Sequence, residues 1–259
     1  MANADTKSLA VFCDFENIAL GVREAKYAQF EMEKVLERLL LKGSIVVKKA
    51  YCDWERYKEF KAAMHGASFE LIEIPHLRQS GKNSADIRMV VDALDLCSTK
   101  SHVDTFVIVS GDSDFSPLVS KLRENAKTVI GVGVKNSSSD LLIANCDEFI
   151  YYDDLVRQDE QKRRAAKKRK DAAPAGEDKK QEAFDQVLGT LEALQAERGP
   201  EEKIWGSMVK QALKRRNPGF NESYYGFRAF SDLLEEAEKK GLIKLEEDEK
   251  SGGYVVRPA

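Results

Sequence analysis

The chain has 259 residues, a length that accommodates one large domain or two modest ones. Hydrophobic residues make up 42% of it, enough for a sizeable core, and no stretch approaches the roughly 18 consecutive apolar residues of a membrane-spanning helix. The formal net charge of −3 excludes a protein that binds nucleic acid through its overall charge, so any basic binding surface has to be local.

Residues up to about 155 alternate between short apolar runs and stretches of helical periodicity. The apolar runs predict strands at Ser8–Cys13, Ser44–Tyr51, Phe69–Ile74, Thr105–Val109, Thr128–Val134 and Glu148–Tyr151. Helices are predicted between them, at Phe30–Leu41, Glu55–His65, Ser84–Cys97, Pro117–Asn125 and near Leu141. Apolar strands that alternate with helices are typical of a mostly parallel sheet covered by helices on both faces, so we expect an α/β fold.

The helix predicted at Ser84–Cys97 carries apolar and acidic positions on different sides. The residues expected to point inward are Ile87, Val90, Val91 and Leu94. We expect Asp92 and Asp95 to lie on the polar, solvated face of this helix.

The sequence changes character at residues 156–182, where aromatic residues are absent. Lysine and arginine crowd the segment from Lys162 to Lys170, and Ala173–Gly176 interrupts any helix. We predict a basic helical tail followed by a flexible linker between two domains, residues 1–155 and 183–259.

The smaller C-terminal domain has three helical patterns, placed around Phe184–Leu194, Trp205–Leu213 and Phe227–Ala237. Residues 242–257 then predict a β-hairpin with Ser251, Gly252 and Gly253 near its turn. Three short helices followed by a hairpin are typical of a winged helix. Phe220, Phe227 and Phe230 are expected in its core.

The cysteines indicate a reducing compartment. Cys13, Cys52, Cys97 and Cys146 have no CxxC spacing, and each lies in or beside an apolar run. We therefore expect buried thiols, without disulfides or zinc. The first residues show no charged and apolar regions of a signal peptide, and the predicted location is the cytoplasm.

Polar residues gather where the predicted strands end, which is where parallel sheets bind ligands. They are Asp14 after the first strand, Asp53 after the second, Asp86 in the helix after the third, and Asp112 and Asp114 after the fourth. Asn17 follows Asp14 by three residues, while Lys82 and Asn83 precede Asp86 at a position suited to phosphate.

Each of these residues also has an ordinary structural explanation. Asp14, Asp112 and Asn17 are compatible with turns, and Asn17 also with a helix cap. Asp86 is compatible with a helix N-terminus, where a carboxylate gains about 0.3–1 kcal/mol. Asp114 and Asp53 are compatible with helix caps, and for Asp53 the cap is the favoured interpretation.

A cluster of like charges needs compensation. Two unit charges about 4 Å apart repel by about 4 kcal/mol at an effective dielectric constant of 20. A shared proton or a basic partner would offset this repulsion, and a divalent metal is the simplest alternative because hard oxygen ligands suit Mg²⁺ or Mn²⁺.

Three segments, FCDFENI, GKNSADIRMVVDALD and FVIVSGDSDFSPLV, resemble the signature segments of the NYN family, the LabA-like branch of the PIN-like nucleases. The resemblance covers roughly residues 8–155 and implies a Rossmann-like sheet and an endoribonuclease that uses Mg²⁺ or Mn²⁺. The family's motif carboxylates correspond to Asp14, Asp86 and Asp112, with Asp114 beside them and Asn17 as the matching polar residue. Some members of the family act without demonstrated cleavage.

Residues 183–258 resemble an OST-HTH, or LOTUS, domain through WGSMVKQALKRRNPGF and YYGFRAFSDLLEEAEKKGLIKL. The resemblance implies a winged helix that binds RNA or, in some members, a protein. The basic residues suited to phosphate are Lys210, Lys214, Arg215, Arg216 and Arg228, and Tyr224 and Tyr225 are suited to stacking on bases. The alternative for these charges, and for the tract at Lys162–Lys170, is an ordinary solvated surface.

Together these features predict an RNA-processing nuclease with an attached RNA-binding domain. Water would be the nucleophile, Asp14, Asp86 and Asp112 would hold the metal with Asp114 assisting, and Asn17 would position the phosphate or a metal-bound water. The alternatives are a non-catalytic RNA-binding or regulatory adaptor with a weak metal site, and a phosphohydrolase acting on nucleotides or small phosphoesters.

Overall fold

The computed structural model of the protein describes residues 7–27, 30–74, 84–170, 178–199, 201–248 and 253–259. The side chains of residues 162–170 and 178 lie outside this description. The chain divides into two compact units, Met1–Ala166 and Lys167–Ala259. In the described part, no helix is long and apolar enough to cross a membrane.

The first unit is built on one parallel sheet. Its strands are β1 (Lys7–Asp14), β2 (Gly43–Cys52), β3 (Glu70–Glu73), β4 (Thr105–Val109), β5 (Thr128–Gly133) and β6 (Glu148–Tyr151). Neighbouring strands are all parallel, and their order across the sheet is β3-β2-β1-β4-β5-β6. β1 and β4 are therefore central, and Cys13 of β1 lies opposite Val109 of β4.

Seven helices accompany these strands in the described part of the first unit. They are α1 (Phe15–Glu24), α2 (Met32–Lys42), α3 (Lys61–Gly66), α4 (Ser84–Thr99), α5 (Ser116–Glu124), α6 (Asp140–Asn145) and α7 (Tyr152–Lys170). Short 3₁₀ turns lie at Lys58–Phe60, Ser113–Phe115 and Lys135–Ser137.

The sheet has a hydrophobic core on each face. Leu9, Val11 and Cys13 of β1 belong to one core, together with residues of α1, α2 and α7. Ala10 and Phe12 belong to the other core, with residues of α4 and α5. This alternation along the apolar residues 9–13 of β1 confirms the predicted α/β sheet with helices on both faces.

The predicted strands are present with small differences at their ends, and β4 and β6 have the predicted bounds. Helix α1 was missing from the prediction. Its buried residues Phe15, Ile18 and Val22 have helical spacing, but Gly21 and the short length weaken the pattern. The helix predicted at Glu55–His65 is confined to α3 and the 3₁₀ turn before it.

The predicted inward face of α4 is partly wrong. Ile87 and Val91 are 62% and 55% exposed, whereas Met89 and Ala93 are fully buried against the sheet. Val90 and Leu94 are partly buried against the same core. Because apolar residues surround much of this helix, the sequence pattern did not determine which of them face the sheet.

Asp92, predicted to be solvated, is largely buried and bonded. Its carboxylate accepts a hydrogen bond of 2.8 Å from the Tyr51 hydroxyl and one of 3.0 Å from Nε of Arg88. The ammonium group of Lys49 lies 3.5 Å away. Asp95, predicted to be solvated as well, is exposed.

The second unit contains three longer helices and a hairpin. They are α8 (Asp178–Arg198), α9 (Gly206–Arg216), α10 (Phe230–Lys239), β7 (Ile243–Asp248) and β8 (Gly253–Pro258), with a 3₁₀ turn at Glu222–Tyr225. β7 and β8 are antiparallel. Phe220, Phe227 and Phe230 are buried as expected. Ser251 and Gly252 of the predicted turn, and Ala173–Gly176 of the predicted linker, lie outside the described residues.

The four cysteines are free thiols. Cys13 and Cys52 are buried, whereas Cys97 and Cys146 are half-buried.

Replacing Asp92 with alanine should lower the free energy of unfolding by about 2–3 kcal/mol, because Tyr51 and Lys49 would lose a largely buried charged partner. Asp95→Ala, on the exposed side of the same helix, should change it by no more than about 0.5 kcal/mol. Urea unfolding of both variants measures the difference. Equal effects for the two would contradict the role of the Asp92 network.

Candidate active site

The candidate site lies at the carboxyl ends of the two central strands. β2 and β3 follow β1 in the chain and extend the sheet on one side of β1. β4, β5 and β6 extend it on the other side, so the strand order reverses between β1 and β4. Such a reversal of strand order opens a crevice between neighbouring strands, where ligands bind in open α/β sheets. Asp14 ends β1, and Ser110 directly follows β4.

Asp14 is a buried carboxylate at this reversal, 8% exposed. Its side chain caps α1 by accepting a hydrogen bond of 3.3 Å from the backbone N–H of Asn17. Its second oxygen accepts one of 3.0 Å from the hydroxyl of Ser110. Both bonds favour the ionised form of Asp14 and fix the direction of its carboxylate.

Ser110 connects Asp14 to the loop after β4. It is fully buried, and its hydroxyl oxygen accepts a hydrogen bond of 3.2 Å from the backbone N–H of Asp112. The sequence analysis missed Ser110, because an uncharged residue after a strand gives no signal of its own. Its place directly after an apolar strand was the available indication.

Asp112 and Asp114 occupy different environments. Asp112 is half-buried, and its carboxylate caps the 3₁₀ turn by accepting a 3.0 Å bond from the backbone N–H of Asp114. Asp114 is exposed. Helix α5 has Phe115 at its N-cap, without a side-chain hydrogen bond. Asp114 therefore does not cap α5, and Asp112 caps the 3₁₀ turn that precedes this helix.

Asn17 holds the loop after β4 in place. Its side-chain oxygen accepts a hydrogen bond of 2.8 Å from the backbone N–H of Gly111. The carbonyl oxygen of Gly111 accepts one of 2.9 Å from the backbone N–H of Ser139. A Cβ atom on Gly111 would overlap the carbonyl oxygen of Ser137, so only glycine fits between these two contacts.

Asp86 lies in the first turn of α4 and is half-buried. Burial, together with the negative charges of Asp86 and Asp112, raises the pKa of Asp14 to about 7, although the hydrogen bonds from Ser110 and Asn17 act in the opposite direction. Burial and the repulsion from Asp112, Asp114 and Glu16 together raise the pKa of Asp86 to about 6.

These mutual repulsions show that the four predicted carboxylates share one region, although they come from three separate segments of the chain. Glu16 is a further acid that the sequence analysis missed. Its carboxylate lies 3.3 Å from Arg56, and it contributes to the raised pKa of Asp86. Recognition of α1 would have placed Glu16 in its first turn, beside Asp14.

Asp53 does not have the predicted role of a cap. Helix α3 begins at Lys61, eight residues later, and has Phe60 at its N-cap. The backbone N–H of Trp54 instead donates a 2.9 Å bond to Glu73. The Trp54 ring packs in the core, which places the start of this segment without a contribution from the Asp53 side chain.

The donor set fits a hard divalent cation in its chemistry. Carboxylate oxygens suit Mg²⁺ or Mn²⁺, and Mg²⁺ retains several waters and needs few direct protein ligands. Among the described residues, however, no three His, Cys, Asp or Glu side chains are arranged as a ready metal site. The acids are near one another but are not preformed as a closed set of ligands.

The basic residues proposed for RNA have mixed environments. Lys82 and Asn83 lie outside the described residues. Lys210 is ion-paired with Glu222 at 2.8 Å, and Arg216 donates to the Thr190 hydroxyl at 3.3 Å. Arg215 is half-buried, and burial lowers its pKa. Lys214 and Arg228 are exposed. The side chains of the tract from Lys162 to Lys170 are not described.

The two tyrosines suggested for base stacking differ. Tyr224 is exposed. Tyr225 is buried, its ring stacks on Phe220 with centroids 5.3 Å apart, and its hydroxyl accepts a bond of 3.1 Å from Gln186. The suggestion is therefore wrong for Tyr225, because its ring completes the core of the second unit.

A parallel, doubly covered sheet with an acidic crevice at its strand reversal defines a Rossmann-like α/β protein of the PIN-like type. The NYN domain family model matches residues 8–153, and the chain belongs to this family, which is part of the PIN-like nuclease superfamily.

Two proteins of unknown function are similar to this chain. "Uncharacterized protein MJ0482" of Methanocaldococcus jannaschii is 28% identical over 117 residues, which are 45% of this chain and 45% of that protein. The crystal structure of a protein of unknown function, VPA0982 from Vibrio parahaemolyticus RIMD 2210633, is similar with a TM-score of 0.52 and 27% identity. That similarity covers 60% of this chain and 98% of the other.

The metal-free protein should lose stability as the pH rises from 5 to 8. Folded Asp14 and Asp86, with pKa values of about 7 and 6, retain protons in this range. The unfolded chain, with an Asp pKa of about 3.9, has released them. The free energy of unfolding therefore decreases with pH, by about 3–4 kcal/mol across the range.

Asp14→Asn should remove most of this decrease and should be more stable than wild type at pH 8. Urea unfolding in the presence of a chelator at pH 5, 6, 7 and 8 measures both. Asp95→Asn, exposed on α4, serves as the control and should keep the wild-type dependence. An Asp14→Asn variant with the wild-type dependence would show that Asp14 ionises normally.

Proposed function

We propose that this protein is a metal-dependent endoribonuclease of the NYN family that uses Mg²⁺ or Mn²⁺. The observation that carries the proposal is the convergence of Asp14, Asp86, Asp112 and Asp114 at the strand reversal, where the pKa values of two of them are raised. Membership of the family, which lies among the nucleases, supports phosphodiester hydrolysis with RNA as the substrate.

The four carboxylates are the residues that would hold the cation. A bound divalent ion would supply a water of lowered pKa and offset the charge of the scissile phosphate. Asp14 has one oxygen oriented by Ser110 and the other by Asn17, so its direction is fixed before any ligand arrives. Asp112 is oriented in turn by its cap on the 3₁₀ turn.

Asn17 supports this site through its hydrogen bond to the loop after β4. Because its side-chain oxygen is bonded to the N–H of Gly111, we assign it to positioning the loop that carries Asp112, in place of a direct contact with phosphate or metal-bound water through that oxygen. A positioning role of this kind is typical of groups that hold catalytic side chains to within about 0.5 Å.

A non-catalytic RNA-binding adaptor is the second candidate. It is favoured by one observation, that the described acids do not form a ready-made group of three metal ligands. Cleavage assays separate the two candidates. Activity on nucleotides or small phosphoesters with none on RNA would instead indicate a phosphohydrolase.

Asp112→Asn should reduce metal-dependent cleavage of labelled single-stranded RNA by at least about 100-fold, because a neutral amide cannot replace a ligand of a hard cation. RNA binding should remain close to wild type. The assay uses several RNAs with Mg²⁺ or Mn²⁺, each with and without chelator, and Asp95→Asn as the matched control.

Cleavage by Asp112→Asn at the wild-type rate would show that the site is elsewhere. Wild-type protein that cuts none of the RNAs with either metal would eliminate the nuclease and leave the adaptor.

We further propose that residues 183–259 form a LOTUS winged helix that binds RNA, joined to the nuclease domain of residues 1–155 by the segment 156–182. Its three helices and hairpin support a winged helix, and the exposed Lys214, Arg228 and Tyr224 support RNA binding. Two binding modules in one chain raise the effective concentration of substrate at the site. Protein binding by this domain is the alternative.

The double substitution Lys214→Ala and Arg228→Ala should weaken RNA binding and lower its salt dependence by up to about two units in the slope of log K against log salt. Fluorescence anisotropy with labelled RNA at several salt concentrations measures both. Lys244→Ala, which removes an exposed lysine from β7, should have little effect. An unchanged affinity and slope in the double variant would favour a protein partner.

A further inference from the structure

A pocket beside the acidic cluster has a lining that the proposed hydrolysis does not use. It is a shallow depression, open to solvent, with a volume of about 460 Å³. It is lined by Ser113, Asp114, Ser116, Pro117, Ser120 and Leu141. Because Asp114 belongs to both the pocket and the acidic cluster, a group bound here would lie next to a phosphate held at that cluster.

The polar groups of the pocket are hydroxyls and one carboxylate. Ser113 is half-buried, and Ser120 is exposed and makes a weak 3.4 Å bond to Asn145. Ser116 is only 6% exposed, and its hydroxyl has no hydrogen-bond partner among the described residues. A buried hydroxyl without a partner is uncommon and indicates that water or a ligand group completes it.

The pocket also has an apolar side. Leu141 is 58% exposed, which makes it one of the large hydrophobic residues that the described fold leaves unburied. Pro117, also exposed, lines the same pocket. Among the described residues, the lining of the pocket contains no lysine or arginine.

We infer that this pocket binds the nucleobase of an RNA nucleotide next to the scissile phosphate, and that it selects bases with an exocyclic amino group. The amino group of adenine, cytosine or guanine would donate a hydrogen bond to Asp114. The flat face of the base would contact Leu141 and Pro117. This inference rests on the proposed function in that RNA is the substrate.

The carboxylate determines the selectivity. Uracil has a single N3–H donor between two carbonyl oxygens, so a carboxylate that accepts from this N–H is repelled by the oxygens on either side, whereas an exocyclic amino group offers two donors. Asp114 has two oxygens with about four lone-pair positions, so it can accept from a base while it assists at the metal. The serine hydroxyls donate or accept as needed and adapt to each base.

Binding of free nucleosides tests the pocket without any cleavage. In the full-length protein, adenosine and cytidine should shift the NMR signals of the Leu141 methyl groups and the Ser113 amide. Uridine should bind about fivefold more weakly, a difference of about 1 kcal/mol. Equal binding of adenosine, cytidine and uridine would overturn the inference. So would NMR shifts confined to residues other than Leu141 and Ser113.

Leu141→Ser should weaken cytidine binding by about three- to tenfold, because it removes apolar contact area. Val91→Ser removes a similarly exposed apolar residue from helix α4 and should leave cytidine binding unchanged. If both variants bind cytidine as wild type does, Leu141 is not part of the binding site and the inference fails.

Cleavage separates this inference from the proposed function. If the protein cuts RNA, it should cut RNA rich in adenine, cytosine or guanine faster than poly(U). Leu141→Ser should reduce that preference. Cleavage without nucleoside shifts at Leu141 would overturn the pocket and leave the nuclease intact. Nucleoside binding at Leu141 without any cleavage would support the pocket and overturn the nuclease.

Discussion

The burial of the Asp14 carboxylate at the end of β1 is the constraint on which the site depends. An ionised carboxylate removed from water is unfavourable unless hydrogen bonds or opposite charges replace the lost solvation. Ser110 and the N-terminus of α1 replace part of it, and the nearby acids act in the opposite direction. The raised pKa of Asp14 shows that the compensation within the chain is incomplete. A proton or a cation has to supply the rest.

The sheet makes this arrangement possible. Central parallel strands are apolar on both faces, so β1 and β4 are held rigidly by the two cores. The residues that follow these strands are therefore placed precisely, and hydrogen bonds of 3.0 and 3.2 Å connect Asp14 through Ser110 to Asp112. A site built on such strands has few flexible parts. Rigid support of this kind is the usual condition for a preorganised catalytic centre.

Much of this architecture was predictable because its signals are local. Buried parallel strands are continuous apolar runs, and the acids at their carboxyl ends were identifiable from position alone. Helix α1, and with it Glu16, was missed because Gly21 and a short length obscure its periodicity. The exposed face of α4 and the burial of Tyr225 depend on tertiary packing, which one sequence does not encode in any short window. Ser110 and the bond from Gly111 to Asn17 depend on contacts between segments more than 90 residues apart.

The contact of Gly111 with Ser137 and Ser139 has a consequence for variation among related chains. The loop after β5 fills the space directly behind the loop after β4, so the two act as a single block. An insertion in either one would push against the other and move Asp112. Length changes at this end of the sheet therefore have to occur in both loops together. Related proteins with different substrates would then differ in the surrounding helices, such as α6, while these two loops would keep their lengths.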